Sequence, residues 1–397
     1  MEHLQARPSA HMAPDRRFTY CQRNAILRHD GLREGALIVK FARPEHSKGA
    51  VNRAGNVLRD GAASSKELEE SLNVINNWRA SHSFPLQVIK MMLKNRARVV
   101  DPNATVSQRL KRLSSIRAKL IRAQTSHMEL ARMQDIGGCR AVVLDIESLD
   151  QLALAFRKGF AKNPVGRHAL VGKVDDHVSE PKADGYRGIH YPFRYVGRSS
   201  ESEIYNGHRI EIQIRTRLQH AWATAVETVD TLTRQSLKFA LNSNVGDENW
   251  KRFFALMGSV LAIEEDKPLV PGTPSDRKVL HEELWAMAER TSVEQVLGGL
   301  QTVVHVSADP VWEDQQEYLL ILNSATKQVQ IKAFPANLIH LVEKEYAQIE
   351  RENDPDIQVV QVSVDDVRLL KLAFPNYYLD TTVFLGALRK AILEHGH

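Results

Sequence analysis

The chain has 397 residues, of which 43% are hydrophobic and 25% charged, as in a soluble globular protein of two or three domains. Lysine and arginine exceed aspartate and glutamate by 53 to 48, a balance that fits a protein that meets phosphates without requiring it. Cys21 and Cys139 are the only cysteines, which excludes a disulfide framework and a zinc site built from cysteine pairs. We find no apolar leader segment and no membrane-length apolar run, so we expect a cytoplasmic protein without membrane spans.

The first 265 residues change from an irregular to a helical and then to a mixed pattern. Residues 1–45 are polar and poorly periodic, and we expect them to be largely irregular. Helical spacing of apolar residues predicts helices at 64–82 and 85–97. The elements predicted further along are strands at 139–146, 188–196 and 208–216, and helices at 148–161, 218–241 and 247–265.

A Pro- and Gly-rich break at 266–277 marks the predicted boundary of the next unit. The elements predicted beyond it are a helix at 278–301, a hairpin of strands 318–323 and 328–334, a helix at 336–351, a strand at 356–364 and a helical pair around Pro375. We therefore predict an irregular segment at 1–45, a mixed α/β unit at 46–265 and a small α+β domain at 278–397, for which a regulatory role is one hypothesis.

The segment 106–122 (VSQRLKRLSSIRAKLIR) carries six basic residues and no acid. Arg109 and Lys111 are two positions apart, so an extended segment puts both on one side. Ser114 or Ser115 can then cap a helix. On this helix Ser115, Lys119 and Arg122 share one face. Basic side chains beside a helix N-terminus suit a polyphosphate, whereas a solvated basic helix is the alternative.

Two acidic residues stand in or beside apolar strands. Glu211 belongs to the polar half of an alternating strand whose other half is isoleucine. Asp135 enters a neighbouring apolar strand through two glycines, and an acid there is costly if it is buried without a partner. Two carboxylates from adjacent strands beside a phosphate site can hold Mg²⁺. The alternative is that these polar residues lie on a strand face that is exposed to solvent.

The segment 180–190 (EPKADGYRGIH) supplies the third candidate region. Tyr186 can stack on a base, and Lys182 and His190 can meet phosphates. Gly185 and Gly188 would let the backbone approach a ligand closely, whereas an ordinary polar loop is the alternative. Together the three regions predict a site for two nucleotides.

These regions, in this order, resemble the synthetase domain of RelA/SpoT-type alarmone synthetases over roughly residues 105–235. The family's R-x-K…S…K…R run is matched from Arg109 to Arg122, and its D-x-x-G-x-R pattern from Asp135 to Arg140. Its P-K-x-[ND]-G-Y-[RQ]-x-[IL]-H pattern is matched by residues 181–190, and its E-x-Q-I-R-T…H-x-W-A pattern by residues 211–223. The resemblance implies a nucleotidyltransferase-like mixed sheet flanked by helices.

The resemblance also implies a reaction and a set of site residues. The family moves the β,γ-pyrophosphate of ATP to the 3′-hydroxyl of GDP or GTP, giving (p)ppGpp and AMP. The ATP-binding residues implied here are Arg109, Lys111, Ser115, Lys119, Arg122 and Arg140, with Arg109 and Arg140 on the two sides of the adenine. Asp135 and Glu211 would bind Mg²⁺, and Glu211 would also accept the proton of the attacking hydroxyl. The acceptor-binding residues implied are Lys182, Tyr186 (stacked on the base), His190 and Gln213.

One position departs from the common form of the acceptor loop. Where the family carries a basic residue seven positions before the lysine, this chain has Asp175, which would repel an acceptor 5′-phosphate. Two further hypotheses are therefore kept: the same chemistry aimed at the 3′ end of tRNA or at adenine nucleotides, and a nucleotide sensor without activity. The first would be controlled by the C-terminal domain or an antitoxin-like partner, and a homo-oligomer is compatible with the sequence.

The hydrolase half of bifunctional family members is not predicted. A lone His29–Asp30 pair lacks the further histidine and aspartate positions of such a domain. The resemblance is therefore to a short form with the synthetase part alone.

Overall fold

A computed structural model describes most of the chain after residue 40. The described residues are 41–61, 63–122, 128–162, 168–233, 248–298, 305–308, 315–335, 338–352, 354, 356–364, 369–378 and 380–395. The prediction for residues 1–40, the His29–Asp30 pair and the end of the helix predicted at 218–241 lie outside these residues.

The described strands form one ten-stranded mixed sheet. The strands are β1 (Thr105–Leu110), β2 (Gly137–Val143), β3 (Ala169–Leu170), β4 (Asp175–Asp176), β5 (Ile189–Arg194), β6 (Arg209–Thr216), β7 (His305–Ala308), β8 (Gln315–Asn323), β9 (Gln328–Pro335) and β10 (Ile357–Ser363). Their order in the sheet is β3-β5-β6-β2-β1-β10-β8-β9-β7, and β4 pairs with β5. The β2–β6 and β7–β9 pairs are parallel and the other pairs antiparallel.

Helices flank this sheet. They are α1 (Lys48–Asp60), α2 (Ser65–Ala80), α3 (Ser83–Val100), α4 (Leu113–Arg122), α5 (Ile146–Lys162), α6 (Ser200–Glu203), α7 (Arg217–Thr233), α8 (Glu248–Glu264), α9 (Arg277–Thr291), α10 (Val293–Gly298), α11 (Ile339–Glu352), α12 (Leu370–Ala373) and α13 (Thr382–His395). Short 3₁₀ turns lie at Leu130–Arg132 and Pro375–Tyr378. Within the described ranges, none of these helices is long and apolar enough to cross a bilayer.

Local sequence signals decide where several helices begin and end. The Ser64 hydroxyl accepts the Glu67 N–H at 3.3 Å and so caps α2. Gly61 closes α1 in the left-handed region at φ +67°, a conformation that glycine adopts without a steric penalty. The helix predicted at 278–301 is instead broken at Ser292, which has φ +48° and separates α9 from α10.

Alternation along β6 separates the core from a polar face. Ile210, Ile212 and Ile214 are fully buried in one apolar cluster with side chains from α3 and α5. Because successive side chains of a strand point to opposite faces, Glu211 and Gln213 lie on the other side of the sheet. The predicted mixed sheet flanked by helices is confirmed.

The strands that follow the break at 266–277 continue the same sheet. β10 pairs antiparallel with β1, with Arg109 opposite Val362. β8, β9 and β7 then extend the sheet beyond β10. The domain boundaries proposed from the sequence stay a prediction, but the two sides of that break share a backbone hydrogen-bond ladder.

Candidate active site

One face of the sheet collects five of the predicted site residues together with Arg215. The strand registers place together on this face Arg109 on β1, Arg140 on β2, Glu211, Gln213 and Arg215 on β6, and His190 on β5. Gln213 lies opposite Arg140 on one side and His190 on the other. The opposite face is the isoleucine core, so the apolar alternation of β6 is what directs these polar groups to one surface.

Asp135 lies just before β2 and is held by two lysines. The Lys111 ammonium lies 2.8 Å from Oδ2 of Asp135, and the Lys119 ammonium lies 2.9 Å from Oδ1. Burial alone would raise the pKa of Asp135, but the charges and hydrogen bonds of the two lysines outweigh it and hold that pKa below its usual range. Asp135 is thus an ionised carboxylate. A polyphosphate could compete with it for the ammonium groups of Lys111 and Lys119.

A chain of four side chains leads from Arg215 to Glu211. The Arg215 guanidinium donates to the Tyr186 hydroxyl at 2.8 Å, and that hydroxyl is hydrogen-bonded to Nε2 of His190. The other ring nitrogen of His190, Nδ1, lies 3.1 Å from Oε1 of Glu211. Gln213 donates its amide N–H to the second oxygen of Glu211. Both oxygens of Glu211 are therefore oriented by neighbouring side chains.

This chain shifts the pKa of each titratable member. Burial lowers the pKa of His190, but the tyrosine and glutamate on either side outweigh it and raise that pKa to about 9. Burial raises the pKa of Tyr186, but Arg215 and His190 outweigh it and lower that pKa to about 8. Burial opposes ionisation of Glu211 too, yet the hydrogen bond and charge of His190 lower its pKa, against a smaller opposing effect of the Asp135 charge. At neutral pH His190 is thus an imidazolium between the phenol and the carboxylate.

The arginines form a cationic region that is short of hydrogen-bond acceptors. Burial lowers the pKa of Arg140, and the charges of Arg215 and Arg109 lower it further. Buried donors with no hydrogen-bond partner among the described residues include Nε of Arg140 and Nε of Arg215. Unpaired buried donors beside several positive charges favour an anionic or acceptor-rich ligand.

One glycine of the segment 180–190 has a different role from the one predicted. Gly185 has φ +90°, and a Cβ there would lie 2.6 Å from the backbone oxygen of Phe254 and 3.0 Å from Trp222. Gly185 therefore permits close packing against α8 rather than approach to a ligand. Lys182, at the exposed edge of the segment, places its ammonium 5.4 Å from the centre of the Tyr186 ring.

The start of α4 also differs from the prediction. The helix begins at Leu113, so Ser114 and Ser115 lie inside its first turn and neither caps it. The N–H of Leu113, which has no partner within the helix, instead donates to the Glu350 carboxylate, at 2.9 Å to Oε1. Ser115 is half-buried in that turn, and Arg122 lies at the other end of α4, close enough for the Asp135 charge to act on it.

Asp135 and Glu211 fit the predicted Mg²⁺ site in their chemistry. Both are ionised, and the charge of Asp135 acts on Glu211 across β2 and β6. Oxygen ligands are those that Mg²⁺ prefers, and it commonly takes the remainder from water and substrate phosphates. Among the described residues no group of three or more His, Cys, Asp or Glu side chains is arranged to hold a metal, so phosphate oxygens would have to complete such a site.

Two residues near the site had no role in the prediction. Arg215 lies in the matched E-x-Q-I-R-T pattern and on the polar face of β6, and these two signals together mark it. His177, next to β4, lies with its ring centre 5.7 Å from the rings of both Tyr186 and His190. No sequence pattern marks His177, because the pairing of β4 with β5 brings it there.

Comparison with known proteins matches the same part of the chain. Residues 108–229 match a family model described as "Region found in RelA / SpoT proteins". The GTP pyrophosphokinase YjbM of Bacillus subtilis is 34% identical over 131 residues, which are 31% of this chain and 54% of that protein. The chain thus spans about half the length of this curated relative.

Solved structures of small alarmone synthetases are also similar. Small alarmone synthetase 1 of Bacillus subtilis, bound to its product pppGpp, is 23% identical and covers 47% of this chain and 90% of its own, with a TM-score of 0.35. A GTP pyrophosphokinase family protein of Streptococcus pneumoniae is 20% identical and covers 59% of this chain and 98% of its own, with a TM-score of 0.37.

Proposed function

We propose that the protein is a pyrophosphotransferase that moves the β,γ-pyrophosphate of ATP to the 3′-hydroxyl of GDP or GTP, since residues 108–229 match the RelA/SpoT family model. The observation that carries the proposal is the pair of ionised carboxylates, Asp135 and Glu211, set between a lysine pair and an arginine-rich face. Phosphoryl-type transfer depends on alignment and charge neutralisation more than on covalent chemistry, and this site supplies groups for both.

On the ATP side, Lys111 and Lys119 would exchange the Asp135 carboxylate for the phosphates of ATP. Lys111 and Lys119 are paired with Asp135, and triphosphate oxygens would compete with that carboxylate for them. Arg109 and Arg140 offer planar cations for stacking on the adenine. Mg²⁺, held by Asp135, Glu211 and phosphate oxygens, would supply charge neutralisation at the transferred group.

On the acceptor side, Glu211 would receive the proton of the 3′-hydroxyl. Its low pKa makes it a weak base, so the proton would move late, as the hydroxyl oxygen bonds to phosphorus. His190 and Gln213 hold the two carboxylate oxygens and so fix the direction from which Glu211 accepts. Arg215 and His190 in turn are hydrogen-bonded to the Tyr186 hydroxyl. They would thereby orient the ring on which the nucleobase of the acceptor stacks.

Stacking of a base on Tyr186 has a consequence for Lys182. Arg215 lies 5.0 Å from the centre of the Tyr186 ring, and Lys182 lies 5.4 Å from it. Arg215 is buried and bonded to the phenol, whereas Lys182 is exposed. The base would therefore displace Lys182, which becomes available to the acceptor phosphates.

Asp175 makes the acceptor the question to test first. It pairs with His190 across β4 and β5 and is exposed on the same side as the site, where a carboxylate disfavours a 5′-phosphate. The test is transfer of label from γ-³²P-ATP with Mg²⁺ to GDP, GTP, ATP and bulk tRNA in parallel. Label on a guanine nucleotide supports the proposal; label on tRNA or ATP alone contradicts the acceptor and favours the alternative.

Substitution Glu211→Gln tests the mechanism. The variant should transfer label about 100- to 10,000-fold more slowly, because it loses the proton acceptor, while ATP binding stays close to wild type. Glu203→Gln, an exposed change in α6 outside the site, is the matched control and should keep full activity. Unchanged turnover in Glu211→Gln would contradict the assigned role.

A further inference from the structure

A C-terminal segment lies against the arginines assigned to the adenine. We call residues 369–378 the strap; they comprise α12 and the 3₁₀ turn that follows it. The Arg140 guanidinium donates from Nη2 to the backbone carbonyl of Ala373, and its carbon lies 5.6 Å from the centre of the Phe374 ring. His220 of α7 places Nε2 3.3 Å from the carbonyl of Leu372. The strap thus accepts hydrogen bonds from two side chains of the site, one of which, Arg140, still has an unpaired Nε.

The strap belongs to the C-terminal half of the sheet. Phe374 and Tyr377 are each 2% exposed and lie in an apolar cluster with side chains of β8, β9 and β10. α12 packs against β1, the strand that carries Arg109. Burial raises the pKa of the Tyr377 phenol, and the charges of Arg112 and Arg109 oppose that shift. The strap therefore lies beside both arginines assigned to the adenine.

A second C-terminal group occupies the start of α4. The Glu350 carboxylate of α11 accepts the N–H of Leu113 through both of its oxygens, at 2.9 and 3.2 Å. The first N–H groups of a helix are a preferred site for phosphate. A carboxylate at this position, on the helix that carries Ser115 and Lys119, thus stands where a phosphate of the donor would be favoured.

We propose that the strap and Glu350 are an intramolecular competitor of ATP, so that the described conformation is closed and ATP binds only after the strap leaves Arg140. This inference rests on the proposed function and names the regulation of the same site. An adenine between Arg109 and Arg140 would need the space that Ala373 and Phe374 occupy. The strap-bound state and the ATP-bound state exclude each other. A change that weakens the strap therefore increases the fraction of molecules whose strap has left Arg140, and the apparent affinity for ATP rises by the same factor.

The test is the binding of α,β-methylene-ATP, which lacks the bond cleaved in transfer, to the full chain by calorimetry. Phe374→Ala removes the buried anchor of the strap and should bind the analogue at least about tenfold more tightly than wild type. Glu350→Gln removes the competing charge at α4 and should bind a few-fold more tightly. Leu372→Ala changes a strap side chain that is 60% exposed, and it should bind like wild type.

The outcomes separate the two proposals. Equal affinities for wild type, Phe374→Ala and Glu350→Gln would overturn the competitor while leaving the proposed function standing. Failure of every form, wild type included, to bind the analogue would overturn both.

Hydrogen exchange of the wild-type chain covers the case in which Phe374→Ala does not fold. The Phe374 N–H donates to the Leu370 carbonyl at 2.8 Å, and the Tyr377 N–H donates to the Phe374 carbonyl at 3.0 Å. Saturating analogue should speed exchange of these two amides because the strap is displaced. Unchanged or slower exchange with the analogue bound would overturn the inference.

Discussion

Replacing His190 with glutamine should change how the stability of the protein depends on pH. His190 is held between the Tyr186 phenol and the Glu211 carboxylate, with 16% of its side chain exposed. Its pKa is raised from 6.5 to about 9. A raised pKa contributes stability that is fully present below pH 6.5 and is lost as pH rises through the folded value.

The size of the effect follows from these values. Tyr186, whose pKa is lowered to about 8, contributes in the opposite direction, because its share is present above the unfolded value and lost as pH falls through about 8. The window from pH 6.5 to 8 therefore isolates the imidazole. At about 1.4 kcal/mol per pKa unit, the His190 contribution should fall by ~2 kcal/mol across that window.

Urea unfolding of wild type and His190→Gln at half-unit steps of pH measures the contribution of His190 to the free energy of unfolding. The difference between their free energies of unfolding should shrink by ~2 kcal/mol from pH 6.5 to 8, since groups that do not contact His190 titrate alike in both proteins. His340→Gln removes an exposed histidine of α11 and should run parallel to wild type. Parallel curves for wild type and His190→Gln would refute the imidazolium bridge.

Two further predictions concern stability. Gly185→Ala should cost about 2 kcal/mol more than Gly172→Ala, because both glycines have positive φ but only the new Cβ at 185 meets the Phe254 oxygen, at 2.6 Å; equal losses in urea unfolding would contradict the packing role. Asp135→Asn should lower the free energy of unfolding by about 3 kcal/mol, because Lys111 and Lys119 lose their carboxylate. Asp150→Asn breaks an exposed ion pair as its control and should cost under about 1 kcal/mol; similar losses in both would argue against the lysine pair.

Much of the site follows from short-range patterns. The isoleucine alternation around Glu211 directs the polar side chains of β6 to one face, because a strand has a period of two. The order of the matched motifs marks Asp135, Tyr186 and His190, and the structure places Tyr186 and His190 in one hydrogen-bonded chain with Glu211. The charge of Asp135 also acts on Glu211. Their individual roles remain predictions.

Other features depend on residues far apart in the chain. Ser114 and Ser115 are both good capping residues, yet the N–H at the start of α4 is taken by Glu350, 237 positions away from Leu113. Arg140 binds the carbonyl of Ala373, 233 positions away. Neither contact has a local periodicity or motif, since backbone carbonyls and single carboxylates carry no spacing signal.

Helices, strand faces and the residue types of the site were set by local physics: apolar spacing, capping serines and the two-residue period of strands. Which strands lie side by side was set by tertiary structure, and the β1–β10 pair brings the C-terminal elements beside Arg109. The reason is that strands pair through backbone hydrogen-bonding groups, which nearly every residue has. The side-chain sequence of one strand therefore does not identify the strand with which it pairs. That pairing is what places the strap against Arg140.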